Sequence, residues 1–299
     1  MDQMKFPDEY FDITGSSLDD YQAKVESGRN LSKNLNVLFC ATCKDVEKYI
    51  NKTLKHVHET GKMFQNYDIF LYENNSTDNT VNIIKQDKSG KVILETEFLS
   101  DSSYERSKTS LYKRCQLIAK ARNKYVDYVN NNYMDYDYVF VFDADMKGAW
   151  SKEGVLNSIY YLESDDAYDC MTSYCIVGGY EDKPLEEINK SHWLMFDSYA
   201  FRFFDDDQTF PLNISSYNNL KTEKGADPIR VNSNFNGLAI YRPKCFKDNF
   251  YSTKNYGQDN LTDIDHVIFH RNMKKKGMSI FMNPSMITSV SKHKYSEGC

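Results

Sequence analysis

A chain of 299 residues with 40% hydrophobic and 27% charged residues has the make-up of a globular protein able to bury a sizeable core. Its formal charge of −6 argues against a protein that grips nucleic acid through its phosphates, because that task needs a basic surface. No apolar run reaches the ~18 residues that span a bilayer, and residues 1–20 lack the layout of a secretory signal. The expectation is no transmembrane segment and a cytoplasmic location.

Residues 1–34 are polar with weak periodicity and read as a leader. The apolar run 36–42 predicts a strand buried on both faces. Val46, Tyr49, Ile50, Leu54 and Val57 then follow at helical spacing, with Asp45 placed to cap the start. A second strand is expected over 67–72, a polar turn over 74–78 and a short helix from Val81 to Lys85. A third strand spans 92–96 and a longer helix 110–130, followed by the most apolar strand, Tyr138–Phe142. Strands alternating with helices mean βαβ units and a mostly parallel sheet with helices on both faces, whose ligands gather at the carboxyl ends of the strands.

The second half is less regular. Strands are expected over 169–177 and 237–241, a largely loop region over 180–232, a helix over 263–276 and a last strand over 279–282, closed by Asn283-Pro284. The chain holds seven cysteines, including Cys40 and Cys43 as C-x-x-C, but they lie in apolar runs where buried free thiols are the rule. Most of the 23 tyrosines and 18 phenylalanines fall in helix or strand patterns and read as packing, although aromatic faces also suit sugar rings.

The chemistry-bearing residues cluster at the expected strand ends. Asp143-Ala144-Asp145 follows the fourth strand, and two carboxylates at a strand end suit Mg²⁺ or Mn²⁺. Glu73 and the turn Ser76-Thr77-Asp78 follow the second strand, where Ser76 or Asp78 would also serve as a helix cap. Arg122, in Ala121-Arg122-Asn123, carries the rigid fork of donors that matches a diphosphate, with Arg106, Lys113 and Arg114 as weaker candidates. Downstream come the glycine strand Asn236–Arg242 and the helix start Asp263-Ile264-Asp265-His266. His266 and His270 are four apart and would share one helical face.

Taken in order over residues 36–295, these motifs resemble the GT-A glycosyltransferases with a DxD motif. The resemblance implies an α/β fold of GT-A type: a Rossmann-like, mostly parallel central sheet flanked by helices, with a loop-rich acceptor half. It divides the chain into a leader (1–34) and a single domain (35–295), of which 35–148 is the nucleotide-sugar-binding half and 149–295 the acceptor half. The implied activity is metal-dependent transfer of a hexose from a nucleotide diphosphate sugar, a UDP-sugar or GDP-mannose, to a hydroxyl of a glycan or other acceptor. Ala41, Thr42, Glu73, Asp78, Arg122 and Asp143 are the implied donor-binding set, with Glu73 toward the nucleobase. Asp143, Asp145 and a carboxyl-terminal histidine, His293, are the implied ligands of Mn²⁺ or Mg²⁺.

On the acceptor side the chain departs from the family's usual acidic pair, so Asp265 is the preferred catalytic acid or base, followed by His266 and Asp263, and the stereochemical course stays open. Two other readings remain: a phosphatase of the haloacid dehalogenase type with Asp143 as nucleophile, and a non-catalytic glycan-binding scaffold. The position of the Asp-x-Asp after three βα units counts against the phosphatase.

Overall fold

The structure, a computed structural model, describes residues 8, 11–99, 110–146, 149–178, 197, 199–204, 222–257 and 262–291. In chain order the first half holds α1 (Leu18–Ser32), β1 (Asn36–Cys43), α2 (Glu47–Gly61), β2 (Asn66–Asn74), α3 (Thr80–Lys85), β3 (Val92–Glu97), α4 (Leu111–Asn131) and β4 (Tyr138–Phe142). The second half holds α5 (Lys152–Ser164), β5 (Cys170–Gly178), β6 (Arg202–Phe203), β7 (Ile229–Ser233), β8 (Leu238–Tyr241), β9 (Lys254–Asn255), β10 (Thr262–Asp263), α6 (Asp265–Lys275) and β11 (Ile280–Ser291).

Among the described residues, nine strands form one mixed, largely parallel sheet in the order β3-β2-β1-β4-β8-β5-β11-β7-β6, with helices on both faces. Strands β1 to β4 pair in parallel, as βαβ units require, and β5 pairs in parallel with β11. Strand β8 runs antiparallel between β4 and β5, and so inserts the chain's second half into the sheet.

The period-2 alternation of β1 divides the core between the two faces. Val37, Phe39 and Ala41 pack with Ile50, Leu54 and Val57 of α2, whereas Leu38 and Cys40 pack with Ala119, Tyr125, Val126 and Val129 of α4. Cys40 and Cys43 are buried thiols, and the other described cysteines are buried as well.

Several elements differ from the sequence expectation, among them β6 and β7, which fall in the stretch read as largely loop (180–232). The stretch read as a leader contains α1, capped by the Ser17 side chain accepting from the Asp20 amide, and its buried side is Tyr21, Val25, Gly28 and Ser32. Helix α5, between the Asp-x-Asp turn and β5, buries Val155, Leu156, Ile159 and Leu162. Strand β11 does not stop at Asn283-Pro284. Its register shifts between Asn283 and Ile287 and pairing with β5 resumes, a bulge that lets proline sit in a sheet.

Helix α1 is seated on α5 at closest approach through Gly28, where an added Cβ would lie 1.9 Å from the Leu156 carbonyl oxygen. Gly28→Ala is expected to push the helices apart and destabilise the fold by about 1–3 kcal/mol, as overpacking does. Urea unfolding of the two proteins checks this, and equal midpoints would mean that α1 is not fixed there.

Candidate active site

The carboxyl ends of β1, β2 and β4 come together at one edge. Thr42 lies opposite Tyr72 and Cys43 opposite Glu73, while Val141 of β4 lies beside Cys40. Burial first, and then the carboxylates of Glu73, Asp78 and Asp145, push the Cys43 thiol well above its ordinary value, so acids from the β2 and β4 ends share the field at the tip of β1. Ala41 is packed in the α2-side core, while Thr42 is partly open at the edge.

Asp143 is the first residue beyond β4, and its amide donates to the Gly237 carbonyl at 3.0 Å. Asn236 and Gly237 both have positive φ, 56° and 86°, and make the turn that leads into β8. A dense polar network holds that turn. The Asn236 amide group donates to the Ser173 carbonyl (3.0 Å) and to Asn234 Oδ1 (2.8 Å), while its own carbonyl accepts from Ser173 Oγ (3.0 Å) and Thr288 Oγ1 (2.7 Å). Asp143 and Asp145 are both partly exposed, on either side of the buried Ala144.

The turn after β2 builds itself. Glu73, 4% exposed, accepts from the Ser76 amide through Oε1 at 2.6 Å. Asp78 accepts from the Glu47 and Thr80 amides, both at 3.0 Å, and so serves the starts of α2 and α3 together. Burial opposes its ionisation, but these hydrogen bonds hold its carboxyl below the ordinary range. Asp45 does not cap α2, whose N-cap is Val46. Its Oδ1 accepts from the Thr77 amide at 2.7 Å instead, across to the β2 turn.

At the centre lies Arg122 of α4, a largely buried guanidinium, 12% exposed, with three polar partners. Its Nε stands 2.8 Å from Asp265 Oδ2, an ion pair without the alignment of a hydrogen bond, and one terminal nitrogen is 3.6 Å from Asp143 Oδ1. The other terminal nitrogen donates to His266 Nε2. The rings of Phe235 and Tyr251 flank the cation at 5.0 and 5.6 Å, and His266 stacks on Phe235 with centroids 3.8 Å apart.

This arrangement sets the protonation states. Burial, then the cation of Arg122 and His270, pushes the His266 imidazole well below its ordinary value, so it is neutral. A guanidinium only donates, so the Nε2 lone pair of His266 is the acceptor and the ring proton sits on Nδ1. Burial raises the Asp265 carboxyl against the pull of Arg122 and of the amides of Asp265 and His266 at the start of α6.

The structure thus brings together Arg122, Asp143, Asp265 and His266 from three separate parts of the sequence. Asp263 is engaged elsewhere, fully buried between Arg202 and Arg271. His270 is no partner for His266 in a metal site: Ser233 Oγ (2.9 Å) and the Tyr241 hydroxyl (2.8 Å) take both its ring nitrogens. His293 and Arg106 lie outside the described residues.

Sequence reasoning missed Phe235, Tyr251 and Asp197. The Asp197 amide donates to Asn236 Oδ1 at 3.1 Å and its carboxylate accepts from the Ala200 amide at 3.1 Å. Burial, with the Asp143 and Asp265 charges adding to it, pushes its carboxyl up to about 6. Asp197 has no local motif, but Phe235 adjoins the Asn236-Gly237 pair that the sequence does single out.

No protein family matches the sequence, and no curated protein matches it. Solved structures that resemble the fold include TarS 1-349 of S. aureus in complex with UDP-GlcNAc, at 13% identity and TM-score 0.45, covering 86% of this chain and 59% of that one. Another is the mannosyltransferase PcManGT from Pyrobaculum calidifontis in complex with GDP-Man and Mn²⁺, at 12% identity and TM-score 0.46, covering 91% and 64%. The chain therefore spans about three fifths of the length of the structures it resembles.

Removing either member of a buried ion pair leaves an uncompensated charge, at a cost of about 3–5 kcal/mol. Arg122→Met and Asp265→Leu should each lose stability on that scale, and the double variant should lose clearly less than the sum of the two. A double-mutant cycle by chemical denaturation measures the coupling. Additive losses would show that the two residues are not a pair.

Proposed function

We propose that the chain is a metal-dependent glycosyltransferase that moves a hexose from a nucleotide diphosphate sugar to a hydroxyl of a glycan or other acceptor. The observation that carries this reading is the meeting of Asp143, at the end of a buried parallel strand, with Arg122 and Asp265 at the carboxyl edge of the sheet. That edge is where open α/β sheets take their ligands.

The donor side is assigned to β1, β2 and β4. Glu73 is buried with one carboxylate oxygen on its own turn, which fixes it for recognition of a nucleobase N–H by the other. Ala41 has its side chain in the core and would contribute backbone only, beside Thr42. Asp78, with both oxygens engaged, would act through the turn it shapes.

Asp145 is assigned as the direct ligand of Mn²⁺ or Mg²⁺, with Asp143 supporting the metal or the donor ribose and His293 as a further ligand. Among the described residues no three His, Cys, Asp or Glu side chains gather into a metal-binding group. Two hard carboxylates nonetheless fit an ion of this kind, which takes the rest of its shell from phosphate oxygens and water. When bound, the ion would offset the charge that develops on the leaving diphosphate.

Arg122 is the residue of choice for the diphosphate, and a phosphate beside Asp143 would compete with Asp265 for its fork of donors. Asp265 is the preferred acceptor-side residue. Its raised carboxyl suits a base that takes the acceptor proton in an inverting reaction, and its charge would steady the developing cation in a retaining one. His266 is the weaker base because its neutral ring already spends its lone pair on Arg122. Its role is to hold that guanidinium.

The test is hydrolysis or transfer from UDP- and GDP-sugars with Mn²⁺. Wild type should release nucleoside diphosphate and lose the activity in EDTA, and Asp145→Ala should abolish turnover while unfolding as wild type does. Normal turnover in Asp145→Ala, or release of phosphate from a monoester instead, would overturn the assignment.

A further inference from the structure

The sequence offers Asp263 as a catalytic acid, but its surroundings give it other work. It is fully buried, and its two oxygens hold three parts of the chain together. Oδ1 accepts from a terminal nitrogen of Arg202 at 2.9 Å. Oδ2 accepts from Arg271, six residues into α6, and from the Tyr256 hydroxyl beside β9, both at 2.8 Å. Two guanidinium groups thus converge on one fully buried carboxylate, Arg202 buried with it and Arg271 reaching in from a partly exposed position, and the buried charge of Arg202 is tolerated only while that carboxylate remains.

Arg202 is itself a tie, 3% exposed. Its other terminal nitrogen donates to the carbonyls of Tyr199 (3.0 Å) and Phe201 (2.6 Å), which fixes the turn behind it. That turn contains Asp197, whose carboxylate holds the Ala200 amide. Two residues beyond Arg202, Phe204 lies against Arg230 of β7 and Lys274 of α6, with the cations 4.3 and 5.6 Å from the ring centroid.

On the other side of Asp263, a single extended residue, Ile264 (φ −75°, ψ 169°), separates it from Asp265. Helix α6 has no side-chain cap at Ile264, so its first turn is held by the contacts of Asp265 and His266 with Arg122 and by the anchorage of Asp263 just before it. We propose that Asp263 is a positioning residue: through Arg202, Arg271 and Tyr256 it clamps the 199–204 segment to the start of α6 and so sets the place of Asp265 against Arg122. Its consequence for catalysis rests on the transferase reading, whereas the clamp itself does not.

Two mild variants test it without stripping the buried charge, Arg202→Lys, which keeps the charge but loses the fork, and Tyr256→Phe. The first readout is amide hydrogen exchange on the intact chain. Both variants should speed exchange in the first turn of α6, residues 265–268, and Arg202→Lys should also speed it over 199–204. Exchange that rises in 199–204 alone, or beside Tyr256 alone, would overturn the clamp.

The second readout is kinetic. Nucleoside diphosphate affinity should stay within about twofold, while kcat for transfer per folded enzyme falls roughly tenfold in Arg202→Lys, the scale of loss that slight misplacement produces. Unchanged kcat in both variants, with only a lower melting temperature, would reduce the cluster to scaffolding and sink the proposal. If wild type transfers no sugar at all, the transferase reading fails, and the exchange data still decide the clamp.

Discussion

The ion pair between Arg122 and Asp265 is the constraint around which the site is arranged. A guanidinium buried on α4 has to find anions and acceptors within reach, and it finds them in residues more than a hundred positions away, Asp265 and His266, as well as in Asp143 at the end of β4. Asp265 and His266 open α6 while Asp143 follows β4, so satisfying one cation fixes α4, the end of β4 and the start of α6 against one another. Phe235 and Tyr251 complete the enclosure with apolar faces that exclude water and strengthen the charges inside.

The neighbouring networks repeat this logic with different chemistry. Asn236 satisfies its amide and carbonyl on β5, β11 and Asn234, and thereby holds a left-handed pair of residues that passes Gly237 beside Asp143. Next to Arg122 on α4, the Asn123 side chain exchanges hydrogen bonds with the backbone of Tyr251, at 3.0 and 2.8 Å. The Ala-Arg-Asn of α4 therefore does two things at once: its arginine gathers the charged groups and its asparagine anchors the loop that supplies one of the covering rings.

How much of this was legible in the sequence follows from how local each interaction is. Strands β1, β2 and β4 are apolar runs that declare themselves, and the acids after them stand where strand ends must be. Helix α1 was harder to see because its buried side is built from Tyr21, Val25, Gly28 and Ser32, a helical spacing with little aliphatic content. Helix α5 carried a clear pattern in Val155, Leu156, Ile159 and Leu162 that the reading passed over, and Pro284 signals a strand end only until a bulge absorbs it. In the site, Arg122, Asp143 and Asp265 were each visible as residues, but their pairing was not. Asp263 looked like a catalytic acid because its sequence neighbours are acids, whereas Arg202 and Arg271, which claim it, are distant or carry no motif.

The central claim, that the edge formed by β1, β2 and β4 is a donor site completed by a divalent ion, is tested most directly by binding alone. Calorimetric titration of UDP and of GDP into the protein, each with Mn²⁺ and each with EDTA, needs neither the acceptor nor the sugar to be known. The account predicts that one of the two nucleotides binds, and that its affinity drops at least roughly tenfold when the ion is removed, a difference of about 1.4 kcal/mol. Binding of neither nucleotide, or binding equally tight in EDTA, would contradict it.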